Sequence, residues 1–381
     1  MTKEELRFAL IESLTAQGFD VNGHVMPNSS NKNFFRRIQA HSKKEQIILQ
    51  KDFLTSNYDI IENYLINGKD IDPDKIELEL KVVEEGSVEN TLFRWWNLVW
   101  WSVPYQRAYG RQMRFLLWDK THNAPFGLIG LQSPILRMSV RDNHLNIPKE
   151  NLDYVINKSM QAQRLGALPP YNQLLGGKMV ALSLTSNELR KAYRAKYDGV
   201  TTILEGRTIE PHLLFITTTS AFGKSSIYNR LKYKEELVAQ SLGYTKGSGT
   251  FHVSQELYSE MQTFLKRRNV DVNTTFGYGP SRKIRLLDKA FSLLNLDEYH
   301  YHNIMREYFL FPIAKNLENV IKKGVRPIYF QRQLCDLTKF WRERWAIPRS
   351  IRDASWKAYD AKSFLTSTKR NITRWSNQIR K

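Results

Sequence analysis

The chain has 381 residues, of which 41% are hydrophobic and 25% charged; this is ordinary globular usage, excludes wholesale disorder and leaves room for two or three domains. No apolar run approaches the roughly 18 residues of a membrane span, and the opening MTKEELRFALIESL has no apolar signal-peptide core. Cys335 stands alone, which excludes an internal disulfide and a paired-cysteine zinc site, so the expected setting is a reducing cytoplasm with no membrane partner.

The charge is the most informative quantity. There are 57 Lys and Arg against 38 Asp and Glu, a formal charge of +19, with an isoelectric point near 9.8. A surplus of this size points to a polyanion, nucleic acid before membrane. It is unevenly placed: residues 1–90 hold 11 bases and 16 acids, residues 91–310 hold 29 and 17, and residues 311–381 hold 17 and 5. An acidic front and a basic tail imply surfaces with different partners.

In chain order, Thr2 and Glu5 have capping-box spacing, and Leu6, Ala9, Leu10, Ser13 and Leu14 mark a helical face that Gly18 ends. A polar break at 28–33 precedes a mixed stretch containing Phe34, Phe35, Ile47, Ile48 and Leu49. Ile71–Asp74 is a turn, and Lys81–Glu89 is an acidic strand or linker. Phe93, Trp95, Trp96, Trp100 and Trp101 crowd an apolar helix that Pro104 interrupts. Met113–Trp118 and Phe126–Leu131 read as a hairpin. Gly166–Tyr171 breaks the chain, and a helix is expected from Met179 to about Tyr197. His212–Thr219 reads as a strand, Ser225–Leu231 as a helix and Thr250–Val253 as an extended piece. From 285 onward the pattern is mainly helical, with breaks at Pro312, Pro327 and Pro348. No internal repeat is visible, and alternating strands and helices make the middle a mixed α/β region.

Four groups of residues carry candidate chemistry. At Gln173-Leu-Leu-Gly176-Gly177-Lys178 a helix start supplies free N–H groups, glycines admit a phosphate, and Lys178 adds charge. The pattern resembles the pyrophosphate loop of GNAT-type acyltransferases, except that Lys178 stands where a small residue is expected. The later Leu242-Gly-Tyr244 is similar to a closing element of that fold, and Tyr228 is placed as a general acid. The rival reading is a tight loop-to-helix junction and a packed tyrosine. Gly223-Lys224-Ser225 after a strand is P-loop context, but Thr218 occupies the position of the first glycine. Arg137, Arg141, Asp142 and His144 could serve acid–base or metal chemistry, or form a solvated ion pair. Within this third group, His300 and His302 could likewise share one side of a strand, although no third metal ligand is near. In the tail, Lys322, Lys323, Arg326, Arg332, Lys339, Arg342, Arg344, Arg349 and Arg352 alternate with Tyr329, Phe330, Phe340, Trp341 and Trp345, and Lys369, Arg370, Arg374, Arg380 and Lys381 flank Trp375. Cations meet phosphates while rings can stack on bases, or the rings can simply pack inward.

Longer blocks carry a second resemblance. Gly166-Ala-Leu-Pro-Pro-Tyr-Asn-Gln-Leu-Leu-Gly-Gly-Lys-Met-Val-Ala181 resembles the hallmark of the DruA family, a component of bacterial Druantia antiphage systems. Phe126-Gly-Leu-Ile-Gly-Leu-Gln-Ser-Pro134 with Arg141-Asp142, Phe276-Gly-Tyr-Gly-Pro-Ser-Arg282 and Phe311-Pro-Ile-Ala-Lys-Asn316 are similar to its other blocks. The resemblance implies antiphage defence together with other Druantia proteins, including a helicase-like one.

The fold expected is mixed α/β: an acidic helical region over 1–90, a GNAT-like domain over 91–260 and a basic, mainly helical region over 261–381. The expected function is a cytoplasmic Druantia-type defence component that binds nucleic acid, taken as DNA, through Lys322, Lys323, Arg326, Arg332, Arg342, Arg344, Arg349, Lys369 and Arg370. Its rivals are an acyl-CoA-dependent acyltransferase using Gln173, Gly176, Gly177, Lys178 and Tyr228, a metal-dependent nuclease or transposase-like enzyme using Arg141 and Asp142, and a scaffold that recruits a partner through its acidic front. No resident metal or cofactor is assigned.

Overall fold

Seven strands form one mixed sheet at the centre of the chain. They are β1 (Leu78–Val82), β2 (Gln112–Asp119), β3 (Ala124–Gln132), β4 (Ser159–Ala167), β5 (Phe215–Thr219), β6 (Gln240–Tyr244) and β7 (Glu307–Pro312), in the spatial order β6-β7-β5-β4-β3-β2-β1. β4 and β5 run parallel, and the other neighbours are antiparallel. The structure is a computed structural model, and it describes residues 1–101, 103, 110–202, 206–208, 210–273 and 281–379. Pro104 and the 276–280 part of the Phe276–Arg282 block lie outside those residues.

The helices that flank the sheet and build the separate helical core include α1 (Lys3–Gln17), α2 (Lys32–Leu49), α3 (Val88–Val99), α4 (Gly176–Ser183), α5 (Asn187–Tyr197), α6 (Gln255–Lys266), α7 (Arg282–Leu293), α8 (Leu334–Trp341) and α9 (Ala361–Ile379). The capping box at Thr2 and Glu5 starts α1, and Gly18, at φ 98°, ends it in the left-handed region where a side chain would be strained. Every residue of β3 is buried, because helices cover both faces of the sheet. On one face, Phe115, Leu117, Ile129, Ile216 and Phe309 pack with residues of α4, α5 and α8. On the other, Leu116, Trp118 and Leu128 meet α2, α3 and α9, while Phe215 and Leu310 meet Val320 and Ile321 of the short helix Leu317–Lys323. The second core is formed by α1, the first half of α2, α6 and α7. Packing therefore joins residues from either side of positions 90 and 260.

Four local expectations are corrected. The supposed helix Ser225–Leu231 is a run of turns: the Ser225 hydroxyl accepts the N–H groups of Ile227 and Tyr228, a side-chain turn that competes with helix. The stretch from Met179 to Tyr197 is two helices, because the Ser186 hydroxyl caps α5 through the Leu189 N–H. Thr250–Val253 forms no strand; its Phe251 and Val253 fill the helical core instead. Glu307–Pro312, in the region read as mainly helical, is a wholly buried strand between β6 and β5. A short continuous apolar run has no period from which strand and helix can be told apart.

Candidate functional site

The glycine pair sits where β4 turns into α4. Residues Tyr171–Leu174 make one tight turn, Leu175 takes the left-handed conformation at φ 59°, and Gly176 opens the helix. A Cβ at Gly176 would lie 2.6 Å from the Tyr171 carbonyl oxygen, 2.8 Å from Ala167 Cβ and 3.0 Å from the Phe126 ring. Close backbone approach alone thus requires this glycine. The tail covers the same loop. The Trp341 indole donates to the Leu175 carbonyl at 3.2 Å, and Arg349 Nε donates to the Gln173 carbonyl at 3.3 Å. The Lys178 ammonium lies 4.9 Å from the centre of the Trp345 ring. Burial, and then the charge of Arg344, push its pKa below the ordinary lysine value. The first and fourth candidate groups therefore meet, a long-range contact for which the sequence gives no local signal.

Tyr228 lies near this junction. Ile227, its neighbour, would be 3.1 Å from a Cβ on Gly177. The Tyr228 ring is buried edge-on against Phe309 and Phe311, with centroids 5.1 and 5.8 Å away, and burial pushes its phenol well up. The Gly223-Lys224-Ser225 turn is tied to a buried carboxylate instead of an open loop. Ser225 N–H and Asn229 Nδ2 each donate to Glu307 Oε2 at 3.2 Å, and Ser241 Oγ donates to Oε1 at 2.8 Å.

Arg141 and Asp142 form a clamp. The wholly buried Arg141 donates from Nη1 to the Ile135 carbonyl at 2.8 Å, from Nη2 to that of Leu136 at 2.9 Å and from Nε to Asp142 Oδ1 at 2.7 Å. Asp142 Oδ2 accepts the Met138 N–H at 2.8 Å. Each of these groups thus holds the segment that leaves β3, while Arg137 and His144 face solvent. A second clamp, at the β2–β3 turn, has no signature in the sequence. His122 Nδ1 donates to Asp119 Oδ2 at 2.6 Å, Tyr171 OH donates to the same oxygen at 3.0 Å, and His122 Nε2 accepts the Asp72 N–H at 3.0 Å. That acceptor role fixes the neutral tautomer and leaves no ring nitrogen to activate a nucleophile. His300 bonds Asp288 at 2.9 Å. His302 is buried instead, with its ring 5.5 Å from that of buried His252. Among the described residues, no three His, Cys, Asp or Glu side chains converge to hold a metal.

The tail cations divide sharply. Arg332 is 2% exposed, pairs with Glu236 at 2.9 Å and lies 4.1 Å from the Phe330 ring centre. Arg342 donates to the carbonyls of Asp74 and Ile76 at 2.8 and 3.1 Å, and Arg349 pairs with Asp353 at 2.6 Å. Lys322 pairs with Glu318 at 2.5 Å, whereas Lys323, Arg326 and Arg344 are exposed. The rings turn inward: Trp341 is fully buried, and Tyr329, Phe340 and Trp345 pack on the same core.

α9 presents the cleanest cationic surface. Leu365, Thr368, Ile372 and Ser376 form its buried side, and Asp360 starts it by accepting the Ser363 N–H at 2.7 Å. The opposite side exposes Lys362, Thr366, Lys369, Arg370, Thr373 and Arg374. Three- and four-residue steps put these on one helix face. A shallow groove of about 440 Å³ runs along it, lined by Asp360, Lys362, Ser363, Thr366, Ser367 and Arg370.

The family model described as "Druantia protein DruA" matches residues 29–323. The chain belongs to the DruA family. A curated relative, Druantia protein DruA of Escherichia coli (strain UMEA 4076-1), is 31% identical over 379 residues, covering 96% of this chain and 93% of the relative. No solved structure matches this chain. Among the described parts of the DruA blocks, Phe126–Gln132 is in β3, Gly166–Ala181 runs from β4 into α4, Phe311–Pro312 ends β7, and Ser281 caps α7. Gly176 packs against residues of two of these blocks, Phe126 and Ala167. In this DruA chain two of the family blocks thus supply β3 and the β4–α4 turn that receives the tail. No helix of the described residues is long and apolar enough to cross a membrane.

Proposed function

We propose that this DruA-family chain is a component of a Druantia-type antiphage defence system, working in the cytoplasm beside other Druantia proteins, a helicase-like one among them, and that it binds DNA through exposed cations. The observation that carries the DNA reading is the cationic residue set left at the surface once Arg332, Arg342 and Arg349 are engaged in the fold: Lys323, Arg326, Arg344, Lys369 and Arg370 remain exposed. Such a set neutralises phosphates and releases counterions, so affinity depends steeply on salt. Titration of the full chain with DNA between about 50 and 200 mM salt tests this. Affinity is expected to fall at least tenfold over that range; salt-independent binding, or none, overturns the reading.

A GNAT-like acyltransferase is the second reading. It is supported by the order β4, glycine pair, α4 and parallel β5, and by the contact of the Ile227–Tyr228 turn with Gly177. Calorimetry with acetyl-CoA tests it, because binding heat is required and its absence at millimolar ligand removes it.

A further inference from the structure

We infer, on the DNA reading above, that the outer face of α9 is the docking surface and that its partner is the sugar–phosphate backbone of duplex DNA, engaged without base stacking.

Every charged residue within α9 is a cation, while Asp360, just before its first residue, places a carboxylate at the start of the groove. From residue 361 to residue 381 there is no Asp or Glu, while Lys362, Lys369, Arg370 and Arg374 all stand on the exposed side of α9. None of the four has an ion pair among the described residues, in contrast to Lys322, Arg332 and Arg349. Lys369 makes only a ring contact, 4.6 Å from the centre of Tyr58. The hydroxyls of Ser363 and Thr366 lie on the same side, and such groups commonly donate to phosphate oxygens; those of Ser367 and Thr373 donate to the Phe364 and Lys369 carbonyls. At 1.5 Å per residue, Lys362 to Arg374 spans roughly 18 Å, long enough to follow several consecutive phosphates of one duplex face.

The rings decide between duplex and single strand. A single-strand platform needs aromatic faces on which bases stack. Phe364 and Trp375 of α9 instead pack on the core that holds Trp95 and Trp96, with Phe364 stacked 5.4 Å from Trp96. A membrane surface would need an exposed apolar border on the helix, yet the apolar side of α9 is the one buried, and among its described side chains, 361–377, no large hydrophobic one is exposed. What remains is a rigid cationic ridge on a folded support, suited to a regular phosphate lattice.

The test uses the full chain and two charge-reversal sets: Lys362→Glu with Lys369→Glu, Arg370→Glu and Arg374→Glu on α9, and Lys322→Glu with Lys323→Glu and Arg326→Glu elsewhere. Both are exposed sites, and thermal melts confirm folding before binding is read. Wild type is expected to prefer a duplex to a single strand of equal length. The α9 set is expected to lower duplex affinity by at least about 100-fold and to flatten the log–log salt dependence by roughly 3.6, from about 0.9 for each of four lost phosphate contacts; the second set, which also removes exposed cations, should lower affinity less, by no more than about tenfold. Failure of wild type to bind any nucleic acid overturns the DNA reading itself. Binding that survives the α9 set but not the second set overturns only the α9 assignment. Preference for single strands, or retention on anionic vesicles without duplex binding, overturns the duplex partner.

Discussion

Replacing the two glycines one at a time separates a packing role from a ligand-binding role for the β4–α4 turn. At Gly176 an added methyl meets a backbone oxygen at 2.6 Å, a Cβ at 2.8 Å and a ring carbon at 3.0 Å. Backbone cannot yield cheaply, and overpacking of this kind costs about 3 kcal/mol. Alanine recovers up to about 1 kcal/mol of helix propensity, so Gly176→Ala should destabilise by about 2 kcal/mol. At Gly177 the methyl meets only the flexible tip of Ile227, at 3.1 Å. Gly177→Ala should therefore change stability by no more than about 0.5 kcal/mol once helix propensity offsets the contact. Thermal melts followed by circular dichroism read the contrast as a drop of roughly 2.5 °C for the first variant and almost none for the second, at roughly 1.2 °C per kcal/mol for a chain of this size. Equal stability of the two variants would refute the packing argument. A Gly177→Ala protein that melts normally yet loses acetyl-CoA binding would restore the phosphate-loop reading.

The buried groups set further expectations. Burial lowers His252 from 6.5 to about 4, so the fold favours its neutral form: the contribution is whole above pH 6.5 and is lost as pH falls towards 4. That difference is worth about 3 kcal/mol, and melts from neutral to acid pH should show a shallower loss in His252→Gln than in wild type; identical slopes would contradict it. Asp119→Ala leaves Tyr171 and His122 without their shared acceptor and should cost about 3 kcal/mol in chemical denaturation; an unchanged midpoint would show that the clamp is idle. Arg332→Met removes a buried cation whose partner Glu236 is 54% exposed and can rehydrate, so stability should move by less than about 1 kcal/mol. Its DNA affinity should stay within about twofold of wild type, whereas a loss matching that of the α9 reversal would mean that Arg332 reaches the ligand.

Local physics is legible in the sequence, whereas long-range pairing is not. The Thr2–Glu5 cap, the Gly18 stop and the β2–β3 hairpin each arise from residues within a few positions of one another. β7 escapes a sequence reading because Tyr308–Phe311 is apolar throughout and therefore has no period. The charge surplus is visible, but its availability is not: whether an arginine meets phosphate depends on distant partners such as Glu236, Asp74 and the Gln173 carbonyl. The same limit applies to the aromatics. Alternation of rings with cations in the tail suggests stacking on bases, yet burial against the sheet claims Trp341 and Trp345. The glycine pair reads as a tight turn, but only the fold reveals that Trp341 and Arg349 close over it.

Photocross-linking of the full chain to a duplex carrying aryl-azide groups on its phosphate backbone, followed by peptide mapping, tests the central claim most directly. Adducts are expected on the peptides of 361–379 that carry Lys369, Arg370 and Arg374. Adducts confined to the Gln173–Lys178 turn or the Arg141–Asp142 segment, with α9 unmarked, would contradict it.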